Sequence, residues 1–424
     1  MSAHLRAEAA AGEVHRRPLD ILIVTSEAPP IVSGISTCID RLATGLIARE
    51  HRVRVLSCTQ IRRVAFGEWR LSFLIAHWPQ IARQLRYFDV VNVHGPVPTM
   101  SDTFLWLTSR LPPYARPAIV YTHHSPIDIQ GAVRMSTRYN KLHQSLALRA
   151  ADRIVASSPH YAHQHRSRYG PMVRSIPWGT DPQQPSPFRV RPSSGDLNVL
   201  FVGQMRPYKG VDTLLAAAAG QSWLKLTLVG DGVELTRYRR LADRLGVANA
   251  WFTGRLSDAE LQHQYAVNDA VVLPSVTRAE AFGLVLIEGM AAGCVPVASD
   301  LPGVRDLAAP TGLVVPPGDP DALRAALRGL AQDPVQLERL QDASRHASQA
   351  LTWDRCVTSY EGVLLEAVRG RYARLHGLRS LPELDEPVSA PAPDPQHDPQ
   401  NGSRPGLHQV PVPEMSPSTA ELGR

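Results

Sequence analysis

The strongest constraint on this 424-residue chain is a recurring pattern: short, almost wholly apolar runs separated by stretches that read as helices. In the first half the runs are DILIVTS (20–26), HRVRVLS, DVVNVHG, AIVYTHH and DRIVASS, each closing on a polar or glycine-containing turn. In the second half they are LNVLFVG, LKLTLVG, DAVVLPS, VPVAS and GLVVPPG. A strand wetted on one face alternates apolar with polar residues. A continuous apolar run is buried on both faces, which happens when helices cover both sides of a parallel sheet. The expected fold is therefore α/β, with two doubly wound, Rossmann-like sheets. Ligands of such sheets bind at the carboxyl ends of the strands, and the informative residues of this chain collect there.

The same pattern divides the chain. The Pro/Ser-rich stretch PQQPSPFRVRPSSGD (182–196) separates the two sets of strands, so domains are expected over 19–185 and 197–352 with a linker over 186–196. Helical segments continue past GLVVPPGDP to about Tyr372. From Leu381 onward there are ten prolines and no Phe, Trp or Tyr, too little apolar surface to order a segment. Residues 379–424 and 1–18 are expected to be disordered.

Composition narrows the class. No run approaches the 18 or so apolar residues of a membrane span, and MSAHLRAEAAAGEVHRRPLD is too charged for a signal peptide. Cys38, Cys58, Cys294 and Cys356 are scattered and form no C-x-x-C pair, so a reduced, cytoplasmic protein without a cysteine metal site is expected. The net charge of +6 is uneven: 23 Lys and Arg stand against 12 Asp and Glu up to Arg189, and 22 against 27 thereafter. A basic first half suits an anionic partner such as a lipid headgroup surface or a phosphorylated acceptor. An arginine-rich composition explains it equally, and no tight cluster with interleaved aromatics speaks for nucleic acid. WRLSFLIAHWPQIARQLRYF (69–88) is amphipathic, which fits either peripheral contact with the inner membrane surface or a helix packed on the first sheet.

The second half reads as an anion site. FVGQMRPYKGVDTLL (201–215) is a strand, a turn and a helix start, placing Arg206 and Lys209 at the sheet edge. Only three residues are lysine beside 42 arginines, and a lysine supplies the compact point charge that suits a phosphate oxygen. TRAEAFGLVLIEG (277–289) opens a buried helix near Gly283. Backbone N–H groups around Phe282, Gly283, Leu284 and Val285 then lack intrahelical partners and face an anion with the positive end of the helix dipole. Glu288 lies one turn further along and can accept from a ribose, while Glu280 can accept from a sugar beyond the diphosphate. LVGDGVEL brings Gly230 to another close-approach loop, although it lacks the third glycine of a dinucleotide fingerprint. Arg255 in WFTGRLSDAEL is read two ways, at the rim of a base pocket or before a helix starting at Ser257.

With these elements in place the chain, over roughly 20–370, resembles glycosyltransferase family 4 of the GT-B fold. The resemblance is carried by FVGQMRPYKGVDTLL, VGDG, PSVTRAEAFGLVLIEGMAAGCVPVAS, PPIVSGIS, YTHHS and SIPWGTD. It implies a retaining, metal-independent transfer from a nucleotide-diphosphate sugar, UDP- or GDP-linked, with no further cofactor. It also implies a first domain (19–185) for the acceptor, a glycan, lipid-linked or small-molecule hydroxyl, and a second (197–352) for the donor across a cleft that closes. The last helix (353–378) would cross back to the first domain. By position, Lys209 and Arg206 would hold the diphosphate, Glu280 the transferred sugar, Glu288 the ribose, and Gly34, in the loop after the first strand, would let its backbone approach the phosphate from the opposite wall. His124 matches the family's active-site histidine, with His123 as the register-shifted alternative. The chain departs from the family pattern at Gln204, Ser33 and Trp178. Other readings of the same residues are a catalytically silent nucleotide-sugar binder, a sugar-nucleotide epimerase, and a basic nucleic-acid-binding protein, which leaves the two glutamates idle.

Overall fold

The computed structural model describes residues 17–61, 63–66, 69–128, 132–181 and 195–377. The segments expected to be disordered and the linker lie almost wholly outside them.

The first domain holds β1 (Asp20–Val24), α1 (Gly34–Ala48), β2 (Arg52–Leu56), β3 (Arg63–Phe66), β4 (Trp69–Ser72), α2 (Leu74–Leu85), β5 (Val90–Gly95), α3 (Ser101–Thr108), β6 (Ala118–His123), α4 (Val133–Ala150), β7 (Arg153–Ala156), α5 (Pro159–Tyr169) and β8 (Val173–Ser175). Its sheet runs β2-β1-β5-β6-β7-β8 with every pair parallel. The second domain holds β9 (Leu197–Val202), α6 (Val211–Ala218), β10 (Leu224–Val229), α7 (Leu235–Leu245), β11 (Ala250–Gly254), α8 (Asp258–Val267), β12 (Ala270–Leu273), α9 (Leu284–Ala291), β13 (Val295–Ser299), α10 (Val304–Ala308), β14 (Leu313–Val315), α11 (Pro320–Gln332) and α12 (Pro334–Ser348). Its sheet, β11-β10-β9-β12-β13-β14, is again all parallel. The helix α13 (Trp353–Leu375) then returns to pack on α1, β5 and β6.

The continuous apolar runs explain themselves in the packing. Along β1, Leu22 and Val24 face one core while Ile21 and Ile23 face another, the alternation that a pleated strand imposes. The outer faces form a separate core in each domain. The inner faces form one core between them, in which Ile39 and Leu42 of α1, Leu286 and Ile287 of α9, and Tyr360 and Leu364 of α13 are all fully buried. Each such side chain contributes about 1.5–3 kcal/mol, enough in sum to keep α13 docked on the first domain. Gly45 of α1 permits its close crossing with α13, since a Cβ there would stand 2.5 Å from Val357 Cγ2.

The segment 69–88, read as one amphipathic helix, is instead two elements. Trp69–Ser72 pairs antiparallel with β3, and the helix begins only at Leu74. Its apolar stripe is taken up by the domain: Leu74 and Leu85 are buried, and Trp78 meets Phe104 edge-on at 5.9 Å. Phe73 and Ile75 remain exposed.

The domains also meet where the chain crosses itself. Thr180 N–H donates to Leu351 O at 2.9 Å, and Thr180 bridges Thr352 in parallel. A Cβ on Gly179 would fall on the Thr352–Trp353 peptide. Gly179→Ala is therefore expected to overpack this crossing and destabilise the protein by about 1–3 kcal/mol, measured as a lower urea midpoint.

Among the buried imidazoles of the first domain are His94, His123, His124 and His143. Burial disfavours their charged form: it lowers His124 and His143 to about 4, and lowers His94 and His123 well below the ordinary value. The unfolded chain then binds more protons than the folded one wherever the pH lies below about 6.5 and above the folded values. Stability should be full above about pH 6.5 and fall by about 1.4 kcal/mol per unit for each such histidine as the pH drops toward 4. Urea unfolding between pH 7.5 and 4.5 measures that slope, and His143→Gln should reduce it by one proton.

Candidate active site

The second domain's edge is built by glycines that let loops touch. After β9 the chain passes through Gly203 to a single 3-10 turn, Pro207–Lys209, and Gly210 enters α6 at φ +68°. A Cβ on Gly210 would fall on the Pro274 carbonyl, and one on Gly230 (φ +133°) on the Gly203 carbonyl. Only glycine allows both the dihedral and the approach. Gly230 thus acts by seating its loop against β9, which carries the lysine turn.

Lys209 Nζ lies 2.5 Å from Glu280 Oε2, and both side chains are largely buried, at 12% and 11% exposure. Ser275 Oγ donates to the same oxygen at 3.2 Å. Burial is the largest single influence and lowers the lysine's pKa, yet the Glu280 charge, Tyr208 and the hydrogen bond to Glu280 together outweigh it and the net shift is upward. The two residues singled out for diphosphate and sugar are thus directly paired. Arg206 is held differently. Its Nε donates to Gln204 Oε1 at 2.8 Å, and Gln204 Nε2 donates across the cleft to Val32 O at 2.9 Å. Gln204, where the family often has arginine, couples Arg206 to the opposite domain.

Helix α9 starts at Leu284, with Gly283 as its N-cap at φ +82° and no side-chain cap. Leu273 packs where a Gly283 Cβ would stand, at 2.8 Å, and Phe282 is buried at the turn. Gly34, expected in a loop, is in fact the first residue of α1, whose N-cap Ser33 accepts from Ser36 N–H at 3.1 Å. Its absent Cβ would lie 3.8 Å from Leu284 Cδ1. The N-termini of α1 and α9 therefore meet across the cleft. Two positive dipole ends face each other there, and Lys209 is held by Glu280, three residues before the α9 N-cap, an arrangement that favours an anion.

Glu288, one turn into α9, accepts from Tyr265 Oη at 2.7 Å. Burial raises its pKa and the tyrosine's hydrogen bond opposes the rise. Arg41 of α1 and Asp181, themselves an ion pair, are the nearest charges from the other domain. Arg255 is exposed just beyond β11 and makes no ion pair among the described residues. Ser257, two residues on, caps α8 in a capping box with Glu260, which accounts for much of that stretch. The domains also touch where His160 N–H, near the start of α5, donates to Asp306 Oδ2 at 3.2 Å.

On the first domain, His123 ends β6 and turns into the outer core, edge-on to His165 at 4.5 Å and to Tyr161 at 5.4 Å. His124 turns to the other face, where its Nε2 lies 3.0 Å from His94 Nδ1. Trp178, 1% exposed, stacks on His124 (5.8 Å, 15°), His94 (6.3 Å, 22°) and Tyr360 (5.4 Å, 18°). The unusual tryptophan of IPWGTD is thus a platform between the two histidines and the returning helix. The reading of motifs missed His94, Tyr265, Ser275 and Gln204's bridge. A histidine at the carboxyl end of DVVNVHG was a visible signal; Tyr265 and Ser275 carry none, since their roles arise only from folding.

Residues 32–184 match the family model described as Glycosyltransferase Family 4, and residues 183–347 match Glycosyl transferases group 1. The chain is 33% identical over 361 residues to the O-antigen chain mannosyltransferase C of Escherichia coli, covering 78% of this chain and 94% of that protein. It is 34% identical over 280 residues to the D-rhamnosyltransferase WbpZ of Pseudomonas aeruginosa, covering 63% and 71%. Over 171 residues it is 35% identical to a GDP-mannose-dependent alpha-mannosyltransferase of Mycolicibacterium smegmatis, covering 39% and 43%. Among solved structures, the sucrose-phosphate synthase from Thermosynechococcus elongatus shares the fold with a TM-score of 0.67 at 22% identity, covering 82% of this chain and 98% of that one. The chain belongs to glycosyltransferase family 4 and is a glycosyltransferase of the GT-B fold.

Proposed function

We propose that the protein is a retaining, metal-independent hexosyltransferase. It moves a mannose-type sugar from a nucleotide-diphosphate donor, GDP-linked in preference to UDP-linked, to a hydroxyl of a glycan or lipid-linked acceptor. The observation that carries the reading is the meeting of the α1 and α9 N-termini on the domain edge that also carries the buried Lys209–Glu280 pair. The mannosyl- and rhamnosyltransferase relatives, one of them GDP-mannose-dependent, support the choice of sugar and base.

In this mechanism the arriving diphosphate competes with Glu280 for Lys209. The lysine turns to phosphate, and the freed carboxylate, still held by Ser275, accepts from hydroxyls of the transferred sugar. Glu288, oriented by Tyr265, accepts from the ribose. The bond from the anomeric carbon to the β-phosphate oxygen breaks with oxocarbenium-like character. The acceptor oxygen bonds that carbon from the same face, its proton passes to the departing phosphate oxygen, and the nucleoside diphosphate leaves. Lys209, Arg206 and the two helix dipoles stabilise the departing charge. Gln204 and Asp306 bridge the domains, which suits a cleft closed against water. His124 lies on the sugar side in this reading. The enzyme works in the cytoplasm, meeting its acceptor at the inner membrane surface through the basic first domain, where Phe73 and Ile75 are exposed.

Calorimetric titration with GDP and UDP tests the donor site. GDP is expected to bind more tightly. Lys209→Ala should weaken it by about ten- to a hundredfold, the worth of a hydrogen bond to a charged group, and Glu288→Gln by about tenfold. Because Lys209→Ala strands a buried Glu280, the double variant Lys209→Met/Glu280→Gln serves as the folded control and should show the same loss. Failure of both nucleotides to bind the wild type would sink the proposal. The membrane contact predicts co-sedimentation with anionic phosphatidylglycerol vesicles that Arg83→Glu/Arg86→Glu weakens; unchanged binding would remove this segment from the interface.

A further inference from the structure

We propose that His94 is a positioning residue: its 3.0 Å hydrogen bond fixes the ring of His124 and sets which nitrogen of His124 carries the proton, so that His124 offers an Nδ1–H donor to the bound sugar. The inference rests on the reading of His124 as a sugar-side residue, and it extends that reading to a residue on another strand.

The two histidines come from neighbouring strands in fixed register. Gly95 pairs with His123, and His124 N–H donates to Gly95 O at 3.0 Å. His94 therefore shares a sheet face with Thr122 and His124, the face that α13 covers. His94 is 2% and His124 7% exposed. Trp178 stacks on both rings, with Tyr360 behind it, and Tyr360 Oη reaches Thr122 Oγ1 at 3.5 Å. Neither ring can swing away without displacing a fully buried indole.

Burial keeps both rings neutral, so one proton lies between His94 Nδ1 and His124 Nε2. If His124 supplied it, neutral His94 would carry its own proton on Nε2. That atom is buried and has no hydrogen-bond partner among the described residues. The near-parallel stack also rules out the Trp178 face as an acceptor, because an N–H lies in the plane of its own ring. Orphaned buried N–H groups are rarer than under-satisfied acceptors. The favoured arrangement therefore has His94 Nδ1–H donating to His124 Nε2. His124 is then protonated on Nδ1, a nitrogen with no partner among the described residues. This tautomer is the minor one for an isolated histidine side chain in water, so it needs the His94 bond to persist. A neutral donor held in place stabilises charge developing on a sugar oxygen without reorganisation.

Two variants separate the bond from the packing. His94→Phe keeps a ring for the stack and removes the hydrogen bond, whereas His94→Asn places an amide N–H near the former Nδ1. With GDP-mannose as probe, kcat for GDP release should fall about ten- to a hundredfold in His94→Phe, as when an orienting partner is lost from a functional histidine. GDP affinity should stay within about twofold, and His94→Asn should recover most of the rate. In a His124→Phe background, His94→Phe should cost nothing further, because the two residues act as a unit. Nitrogen-15 spectra of the histidine rings, assigned by comparison with His124→Phe, should show His124 as the Nδ1–H tautomer in wild type and as the Nε2–H form in His94→Phe. A wild-type rate in His94→Phe, additive losses in the double variant, or a wild-type His124 protonated on Nε2 would each overturn the inference. If the wild type neither binds GDP nor turns over GDP-mannose, the proposed function fails, while the ring spectra still decide the role of His94.

Discussion

One apolar surface shared by both domains holds the site in place. α1 and α13 from one side and α9 from the other bury Ile39, Leu42, Leu286, Ile287, Tyr360 and Leu364 in a single core. That core brings the N-termini of α1 and α9 together. Two like dipole ends repel each other, and Lys209 adds to the positive potential, so the assembly depends on apolar burial and on compensating carboxylates. Glu280 supplies one of these, directly paired with Lys209. The ion pair, already made and largely buried, offsets part of that repulsion.

The crossing at Gly179–Thr180 joins this core to the buried pair His94–His124. Trp178, immediately before it, stacks on both His94 and His124 and on Tyr360 of the returning helix. The face of the first sheet that carries both histidines is thereby tied to α13, which follows the second domain in the chain and packs on the first. A motion of α13 relative to the first sheet would be felt by the histidine pair through a rigid indole. Family resemblance left this tryptophan without a role, and packing gives it one.

Much of the fold was legible. The apolar runs marked ten of the fourteen strands among the described residues, because a parallel sheet buries both faces of its strands. The hairpin of β3 and β4 was not, since short edge elements carry little period; the stretch 69–88 read as one helix because Trp78, Leu74 and Ile81 do share a helical face. At the site, Lys209 and the two glutamates stood out by spacing and by the scarcity of lysine. Gly34 was placed one element out, as a loop residue where it begins a helix. Arg206 was read as a second phosphate ligand, and only the folded chain reveals its bond to Gln204 and the cross-cleft contact that follows.

The sequence by itself determined the class of fold, the order of most strands and helices, and which residues stand at the carboxyl ends of the second sheet, because these rest on local periodicity and on glycines that only tight turns require. Tertiary structure decided what lies beside what. The pairing of Lys209 with Glu280, of Tyr265 with Glu288, and of His94 with His124 joins residues 71, 23 and 30 positions apart. No local signal encodes such pairs; they exist because sheet register and helix packing bring separate strand ends to one place.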